Sequence, residues 1–125
     1  MILGIGSDII HIPRVARVIQ NPRFLARVYT AGERAYAKSR GKGMPASLAA
    51  RFAGKEAVLK AFGTGLRAAA LHDIEILPDV LGAPQVRLSG YLAVRAEEMA
   101  IDRVWITLSH ERDYATAYCI LEGQR

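Results

Sequence analysis

The sequence predicts a single α+β domain, in which a predominantly antiparallel sheet packs against one long helix and several short ones. Apolar runs of strand length occur at both ends of the chain. A short polar turn joins the two C-terminal runs, which is typical of an antiparallel pair of strands. Between them, a long segment carries apolar residues at helical spacing. The 125 residues contain no repeat, low-complexity stretch or linker, so residues 1–125 are assigned to one domain.

The first third of the chain is predicted to contain one strand and three short helices: strand 1–7 and helices near 12–20, 22–28 and 31–39. Asn21-Pro22 is typical of an N-cap followed by a proline in the first helical position. Thr30 and Glu33 have the spacing of a capping box, which fixes the start of the third helix. The glycine-rich stretch within the loop 40–45 is expected to be the most mobile connection.

The rest of the chain is predicted to contain the long helix 46–62, closed by glycine just past its end, and then a mixture of strands and one helix. The remaining elements are strand 73–77, a turn over 78–84, strand 85–88, helix 90–100 and strands 103–109 and 114–121.

A carboxylate on the apolar face of the long helix is the first candidate site residue. Glu56 lies four residues after Phe52 and three before Leu59, so it projects into the face that these residues form. A carboxylate among apolar side chains costs several kcal/mol unless a cation or hydrogen-bond donors compensate it. Lys60, one turn further on, is the nearest candidate partner, although such a pair is usually only a solvated feature of a helix surface.

A second carboxylate, Asp8, is predicted to close the first strand. Gly4 and Gly6 in so short a strand indicate that another element packs closely against its backbone. Asp8 could form a turn or cap the following helix, but Pro13 places the start of that helix late for capping. Two isolated carboxylates from distant segments, Asp8 and Glu56, suit Mg²⁺, which is typically held by one or two carboxylates together with substrate phosphates.

Ser109 and His110 leave the first strand of the C-terminal pair together. A histidine in this position is more often a satisfied turn residue than a catalytic one, but both side chains could donate hydrogen bonds to a phosphate. The chain has no GxSxG elbow and no conspicuous cysteine nucleophile, so a hydrolase triad is weakly supported. Its one cysteine, Cys119, lies in an apolar strand and is expected to be a packing residue.

The net charge of +5 is concentrated in the first third of the chain. Eight basic residues are opposed there by Glu33 alone: Arg14, Arg17, Arg23, Arg27, Arg34, Lys38, Arg40 and Lys42. A basic face can bind nucleic acid, but no RNP-like motif, KH loop or zinc-ligand spacing supports that alternative. An acidic protein partner explains the same charge. With neither a signal peptide pattern nor an apolar span, the cytoplasm is the expected location.

Four motifs occur in order along nearly the whole chain: GIGxDI at residues 4–9, Arg14, RFAxKEAxxKAxGTG at residues 51–65 and SHxxxYAxA at residues 109–117. Together they resemble holo-acyl-carrier-protein synthase, the small, trimeric type of 4′-phosphopantetheinyl transferase. The resemblance implies transfer of phosphopantetheine from coenzyme A to a serine of apo-acyl carrier protein, in fatty acid or polyketide biosynthesis. It also implies release of adenosine 3′,5′-bisphosphate and a homotrimer with sites between subunits.

The resemblance further implies a role for each motif residue. Asp8 and Glu56 would hold Mg²⁺, with Mn²⁺ as an alternative, and would form the catalytic set with Lys60, which would lie beside the pyrophosphate. The coenzyme A groove would be lined by Arg51, Lys60, Gly63, Thr64, Gly65, Ser109 and His110. The acidic acyl carrier protein would meet Arg14, Arg23 and Phe24.

The chain departs from the family pattern at three positions: Gly54 stands where alanine is usual, Ala83 where a basic residue is usual, and Glu111 where threonine is common. A carboxylate at Glu111 would repel a phosphate, so no phosphate contact is assigned to it. The alternatives are a nucleic-acid-binding module and another Mg²⁺-dependent phosphotransferase or pyrophosphatase. The latter would act on coenzyme A without a carrier protein.

Overall fold

The computed structural model describes residues 1–63 and 71–124. Within these residues the chain forms five helices and five strands, and short 3₁₀ turns at Gly41–Gly43 and Leu71–Asp73. The elements, in chain order, are β1 (Ile2–His11), α1 (Ile12–Val18), α2 (Pro22–Val28), α3 (Ala31–Ser39), α4 (Met44–Phe62), β2 (Ile74–Pro78), β3 (Pro84–Leu88), α5 (Gly90–Glu98), β4 (Ile101–Glu111) and β5 (Tyr114–Gly123).

The strands form two antiparallel sheets, which confirms the α+β prediction. β1, β5 and β4 form a three-stranded sheet in that order, and β2 pairs with β3 in a separate two-stranded ribbon. Because side chains alternate along a strand, one face of the larger sheet turns small and aliphatic residues such as Ala117 and Cys119 towards α4. The opposite face leaves large apolar side chains exposed, among them Ile5, Ile9 and Tyr118.

α4 is the central element, and it is buried along nearly its whole length. Apolar side chains on several sides of the helix belong to two core clusters, one against the sheets and one against α1 and α2. The prediction of a single apolar face on this helix was therefore too narrow. Within the described residues, no helix is both long enough and apolar enough to cross a bilayer.

Two glycines allow β1 to lie directly against α4, as the sequence predicted. A Cβ atom at Gly4 would come 2.2 Å from the carbonyl oxygen of Ala61. One at Gly6 would come 2.1 Å from the carbonyl oxygen of Ala57. Any side chain at either position would force the strand and the helix apart. This contact brings Asp8 of β1 alongside Glu56 of α4.

The capping predictions are confirmed. The side chain of Asn21 accepts a hydrogen bond from the backbone N–H of Arg23, 2.9 Å away, at the start of α2. Thr30 and Glu33 form the complete capping box of α3. Gly63 ends α4 with a left-handed backbone, φ 74°. The rest of that glycine turn, residues 64–65, lies outside the described residues.

The strand boundaries differ from the prediction in one functionally important place. β1 continues to His11 rather than ending at residue 7, because Ile9 and Ile10 pair with Thr116 and Ala115 of β5. Asp8 therefore lies inside a strand, opposite Ala117, and neither closes the strand nor caps a helix. α1 and α5 end two residues earlier than predicted, whereas β4 and β5 extend by about two residues at their ends.

Candidate active site

Asp8 and Glu56 line the same cavity, which has a volume of about 610 Å³. β1 supplies Asp8 and α4 supplies Glu56, and the glycine contact between these elements sets their separation. Burial raises the pKa of Glu56, and the nearby charge of Asp8 raises it further, whereas Lys60 acts in the opposite direction. Two carboxylates that repel each other in one cavity form an environment that a cation would stabilise.

Lys60 pairs with Asp8 rather than with Glu56, which corrects the partner that the helical spacing predicted. Its Nζ donates to the carbonyl oxygen of Ser7, 3.0 Å away, and lies 3.3 Å from Oδ1 of Asp8. Because the ammonium is bound to β1 by both contacts, it lies at the edge of the carboxylate pair. The Lys60 side chain is 59% exposed, so a bound anion could reach it.

The donor set fits a hard divalent cation with incomplete protein coordination. In residues 1–63 and 71–124, no group of three or more His, Cys, Asp and Glu side chains is arranged to hold a metal ion. Asp8 and Glu56 would be the protein ligands, and the other positions would be left to water and substrate phosphates. Mg²⁺ is commonly bound in this way.

A second cavity, of about 230 Å³, contains Arg51 and His110. The Arg51 side chain is buried, and its Nε donates to the carbonyl oxygen of Ile76, 3.1 Å away. Its Nη1 donates to Oγ of Ser47 at 3.3 Å, and the guanidinium lies 4.7 Å from the centre of the Tyr36 ring. Burial lowers the pKa of Arg51, and the neighbouring Tyr36 side chain and the Glu33 carboxylate partly offset this effect. The cavity thus presents a fixed cation.

Ser109 and His110 both border a cavity on the outer face of the sheet, but only His110 also borders the Arg51 cavity. Neighbouring residues of a strand point to opposite faces, and Ser109 and His110 both lie within β4. His110 borders the Arg51 cavity, whereas Ser109 borders a third cavity on the outer face of the sheet, together with Ile9 and Glu111. His110 also touches this third cavity. Only His110 of the two therefore meets Arg51.

The predicted partner residues are also divided. Arg14 and Phe24 line the cavity of Asp8 and Glu56. The Phe24 ring stacks on Phe52, with centroids 6.1 Å apart. Arg23 is exposed on α2 and is not among the residues that line this cavity.

The family model described as the 4′-phosphopantetheinyl transferase superfamily matches residues 4–119. The chain belongs to this family. It is 46% identical to the holo-[acyl-carrier-protein] synthase of Ruminiclostridium cellulolyticum, over 94% of this chain and 90% of that protein. It is 42% identical to that of Clostridium tetani, over 99% of this chain and 98% of that protein.

Solved structures of this family have the same fold. The holo-[acyl-carrier-protein] synthase of Neisseria meningitidis matches with a TM-score of 0.89 and 38% identity, over 98% of this chain and 99% of that chain. The Bacillus anthracis enzyme, solved in complex with CoA (3′,5′-ADP), matches with a TM-score of 0.83 and 34% identity, over 99% of each chain. The chain is accordingly an enzyme, a 4′-phosphopantetheinyl transferase of the holo-[acyl-carrier-protein] synthase type.

Sequence reasoning missed several residues of this transferase. Arg40 and Tyr36 line the Arg51 cavity, but in the sequence Arg40 was only one member of the basic run. Glu33 and Lys55 form an ion pair of 2.8 Å with both side chains fully buried. The sequence contains no distinct signal for this pair, because Lys55 lies among the other charged residues Arg51, Glu56 and Lys60. Sequence reasoning assigned Glu33 only to the capping box of α3.

Proposed function

We propose that this transferase moves 4′-phosphopantetheine from coenzyme A to a serine of an acidic apo-acyl carrier protein and releases adenosine 3′,5′-bisphosphate. We place the reaction in fatty acid or polyketide biosynthesis in the cytoplasm. The observation that carries the proposal is that Asp8 and Glu56 line one cavity and that Lys60, an accessible cation, contacts Asp8. The names of the relatives and the coenzyme A complex of the Bacillus anthracis enzyme support the substrate pair.

The chemistry follows from what a pyrophosphate requires. The carrier serine Oγ attacks the β-phosphorus of coenzyme A, and the bond from that phosphorus to the oxygen of the leaving 3′,5′-bisphosphate breaks. The proton of the serine hydroxyl is released in the net reaction. When bound by Asp8 and Glu56, Mg²⁺ or Mn²⁺ supplies positive charge to the pyrophosphate oxygens. Lys60, which contacts Asp8, adds a positive charge beside the carboxylate pair, where negative charge accumulates as the bond breaks.

The nucleotide end of coenzyme A is assigned to the Arg51 cavity. The buried guanidinium is held by Ile76, Ser47 and Tyr36, so little side-chain entropy is lost when an anion binds it. His110 borders the same cavity and can donate a hydrogen bond to a phosphate. Gly63 and residues 64–65 follow the site helix directly and are assigned to the groove by the family motif alone.

The carrier protein is assigned to the basic face of α1 and α2. Arg14 lines the reaction cavity, so an acidic partner bound there would bring its serine close to Asp8 and Glu56. Arg23 lies on the neighbouring helix and would extend the basic surface outwards. Phe24 lines the same cavity as Arg14 and would supply an apolar contact with the carrier protein.

We also propose a homotrimer with the site between subunits. The outer face of the three-stranded sheet carries exposed apolar side chains that a monomer would leave in water: Ile5, Ile9, Trp105, Tyr114 and Tyr118. Ser109 lies on this face, so its assignment to the coenzyme A groove requires a neighbouring subunit to complete that groove. A monomeric mass by light scattering in a fully active preparation would contradict this proposal.

The test of the proposed function is a transfer assay. The protein is incubated with coenzyme A, Mg²⁺ and apo-acyl carrier protein, and mass spectrometry monitors the phosphopantetheine increment on the carrier. Omitting the carrier separates this activity from a pyrophosphatase, which would still cleave coenzyme A. Glu56→Gln should abolish most of the transfer, whereas Glu97→Gln, an exposed carboxylate on α5, should leave it intact. Full activity in Glu56→Gln with unchanged Mg²⁺ dependence would contradict the metal assignment.

A further inference from the structure

The buried ion pair of Glu33 and Lys55 takes no part in the reaction described above. It joins α3 to α4 in the interior, and the side chains of both residues are fully buried. Breaking such a pair by removing one partner is strongly destabilising, whereas replacing both by uncharged residues of similar volume is often tolerated. A charged pair in this position is therefore not explained by stability alone.

The partners of the pair are mostly backbone groups. Glu33 Oε1 accepts from the N–H of Thr30, 2.9 Å away, and Oε2 accepts from the N–H of Ile76, 2.8 Å away. Lys55 Nζ donates to the carbonyl oxygen of Leu71 at 3.0 Å and to that of Ile74. The pair thus reaches from the start of α3 to β2.

β2 depends on side chains for the hydrogen bonds along one of its edges. β3 pairs with the other edge, and no strand of the described residues pairs with this one. On the open edge, Lys55 binds the carbonyl oxygen of Ile74, and Glu33 binds the N–H of Ile76. The next group along, the carbonyl oxygen of Ile76, accepts from Arg51 Nε.

Ile76 therefore links the ion pair to Arg51. Glu33 accepts a hydrogen bond from the N–H of Ile76, and Arg51 donates one to the carbonyl oxygen of Ile76. A displacement of β2 would therefore move the group to which the guanidinium is hydrogen-bonded. The same ribbon contributes Pro78, Gly82 and Pro84 to the wall of the Arg51 cavity. Both the cation and part of the wall consequently depend on how β2 is held.

We propose that Glu33 and Lys55 are positioning residues that hold Arg51, through the backbone of Ile76, in the orientation that binds coenzyme A. This inference rests on the proposed function, because it takes the Arg51 cavity as the nucleotide site. Neither residue touches the substrate. Their effect is on affinity for coenzyme A and not on the chemical step at Asp8, Glu56 and Lys60.

The main test is the double variant Glu33→Gln/Lys55→Met, which removes both charges and approximately keeps the volume. Its Kd and KM for coenzyme A should rise about tenfold, within the range of coupled residues, while kcat at saturating coenzyme A and the Mg²⁺ dependence stay close to wild type. In an Arg51→Ala background, the same double change should cause no further rise. Equal effects in both backgrounds would overturn the inference.

A matched control separates positioning from general destabilisation. Leu92→Ala removes a fully buried side chain of α5, which is not part of the Arg51 cavity. It should lower Tm by at least as much as the double variant and leave the KM for coenzyme A unchanged. An equal rise of the KM for coenzyme A in Leu92→Ala would show that lost stability alone raises this KM, and would overturn the inference.

A measurement independent of catalysis covers the cases in which the double variant does not fold or the wild type shows no transfer. In the single variant Glu33→Asp, which keeps the charge of the pair but shortens the reach of the carboxylate to the N–H of Ile76, hydrogen exchange at Arg51 Nε, followed by NMR, should be faster than in wild type. Unchanged exchange would overturn the inference. Absence of transfer in the wild type would overturn the proposed function instead, and the exchange result would still decide whether the ion pair positions Arg51.

Discussion

Gly6→Ala tests whether the contact between β1 and α4 sets the active site. The added Cβ would lie 2.1 Å from the carbonyl oxygen of Ala57 and 2.7 Å from the backbone nitrogen of Ala61. Real Cβ atoms essentially never come closer than 3.0 Å, so strand and helix must separate by about 0.9 Å. The obstructing atoms belong to the backbone of a buried helix, so a change of rotamer cannot relieve the clash.

The separation acts on the reacting groups directly. Asp8 is two residues along β1 from Gly6, whereas Glu56 and Lys60 lie on the helix that would be pushed away. A misplacement of about 1 Å in catalytic geometry can cost about 100-fold in rate, so kcat/KM should fall by that order. Overpacking of this kind typically costs about 1–3 kcal/mol, so the free energy of unfolding should fall as well.

The measurements are the transfer assay and thermal unfolding followed by circular dichroism. Ser7→Ala is the matched control, because Ser7 is exposed and the change adds no atom between strand and helix. It should keep both activity and Tm. Gly6→Ala with wild-type kcat/KM, whatever its stability, would refute the claim that this contact determines the site geometry.

Three further predictions concern Lys60, the basic face and Gly54. Lys60→Arg should keep a substantial fraction of kcat and Lys60→Ala should lose far more, because stabilising the pyrophosphate charge requires only a cation of sufficient length. Equal losses of kcat in the two variants, with coenzyme A binding intact, would contradict this prediction. Arg14→Glu should reduce use of the carrier more than Arg23→Glu, since only Arg14 lines the reaction cavity, and added salt should shrink both effects. Gly54→Ala should be destabilising despite the better helix propensity of alanine, because its Cβ would lie 2.6 Å from Cδ1 of Ile76. Ile76→Val should rescue it in thermal unfolding, and additive losses would contradict that reasoning.

Much of the fold was predictable because its signals are local. The capping patterns at Asn21 and Thr30 depend on residues within one turn, and both helices begin where these patterns placed them. The glycines of β1 signalled a close contact without naming the partner, which the structure identifies as α4.

The arrangement of the site was less predictable because it depends on tertiary contacts. Helical spacing placed Lys60 beside Glu56, but the approach of β1 provides Asp8 and the carbonyl oxygen of Ser7 instead. Ser109 and His110 were treated as one pair because the predicted strand was expected to end with them. Because β4 continues to Glu111, their side chains point to opposite faces of the strand, and only His110 reaches the Arg51 cavity.

The two lysines of α4 explain how one buried helix can be both the centre of the core and the wall of the site. Five residues of a helix correspond to a rotation of about 140°, so Lys55 and Lys60 point in widely different directions. Lys55 points into the interior, where desolvation lowers its pKa and the charge of Glu33 offsets that effect, so the charged form depends on its partner. Lys60 points to the cavity edge, where an ion pair as exposed as its contact with Asp8 contributes at most about 1 kcal/mol to stability. The buried lysine is therefore committed to holding β2, whereas the exposed lysine can exchange Asp8 for a phosphate at little cost. The same residue type therefore stabilises the fold or binds a ligand, according to the direction in which it points from the helix.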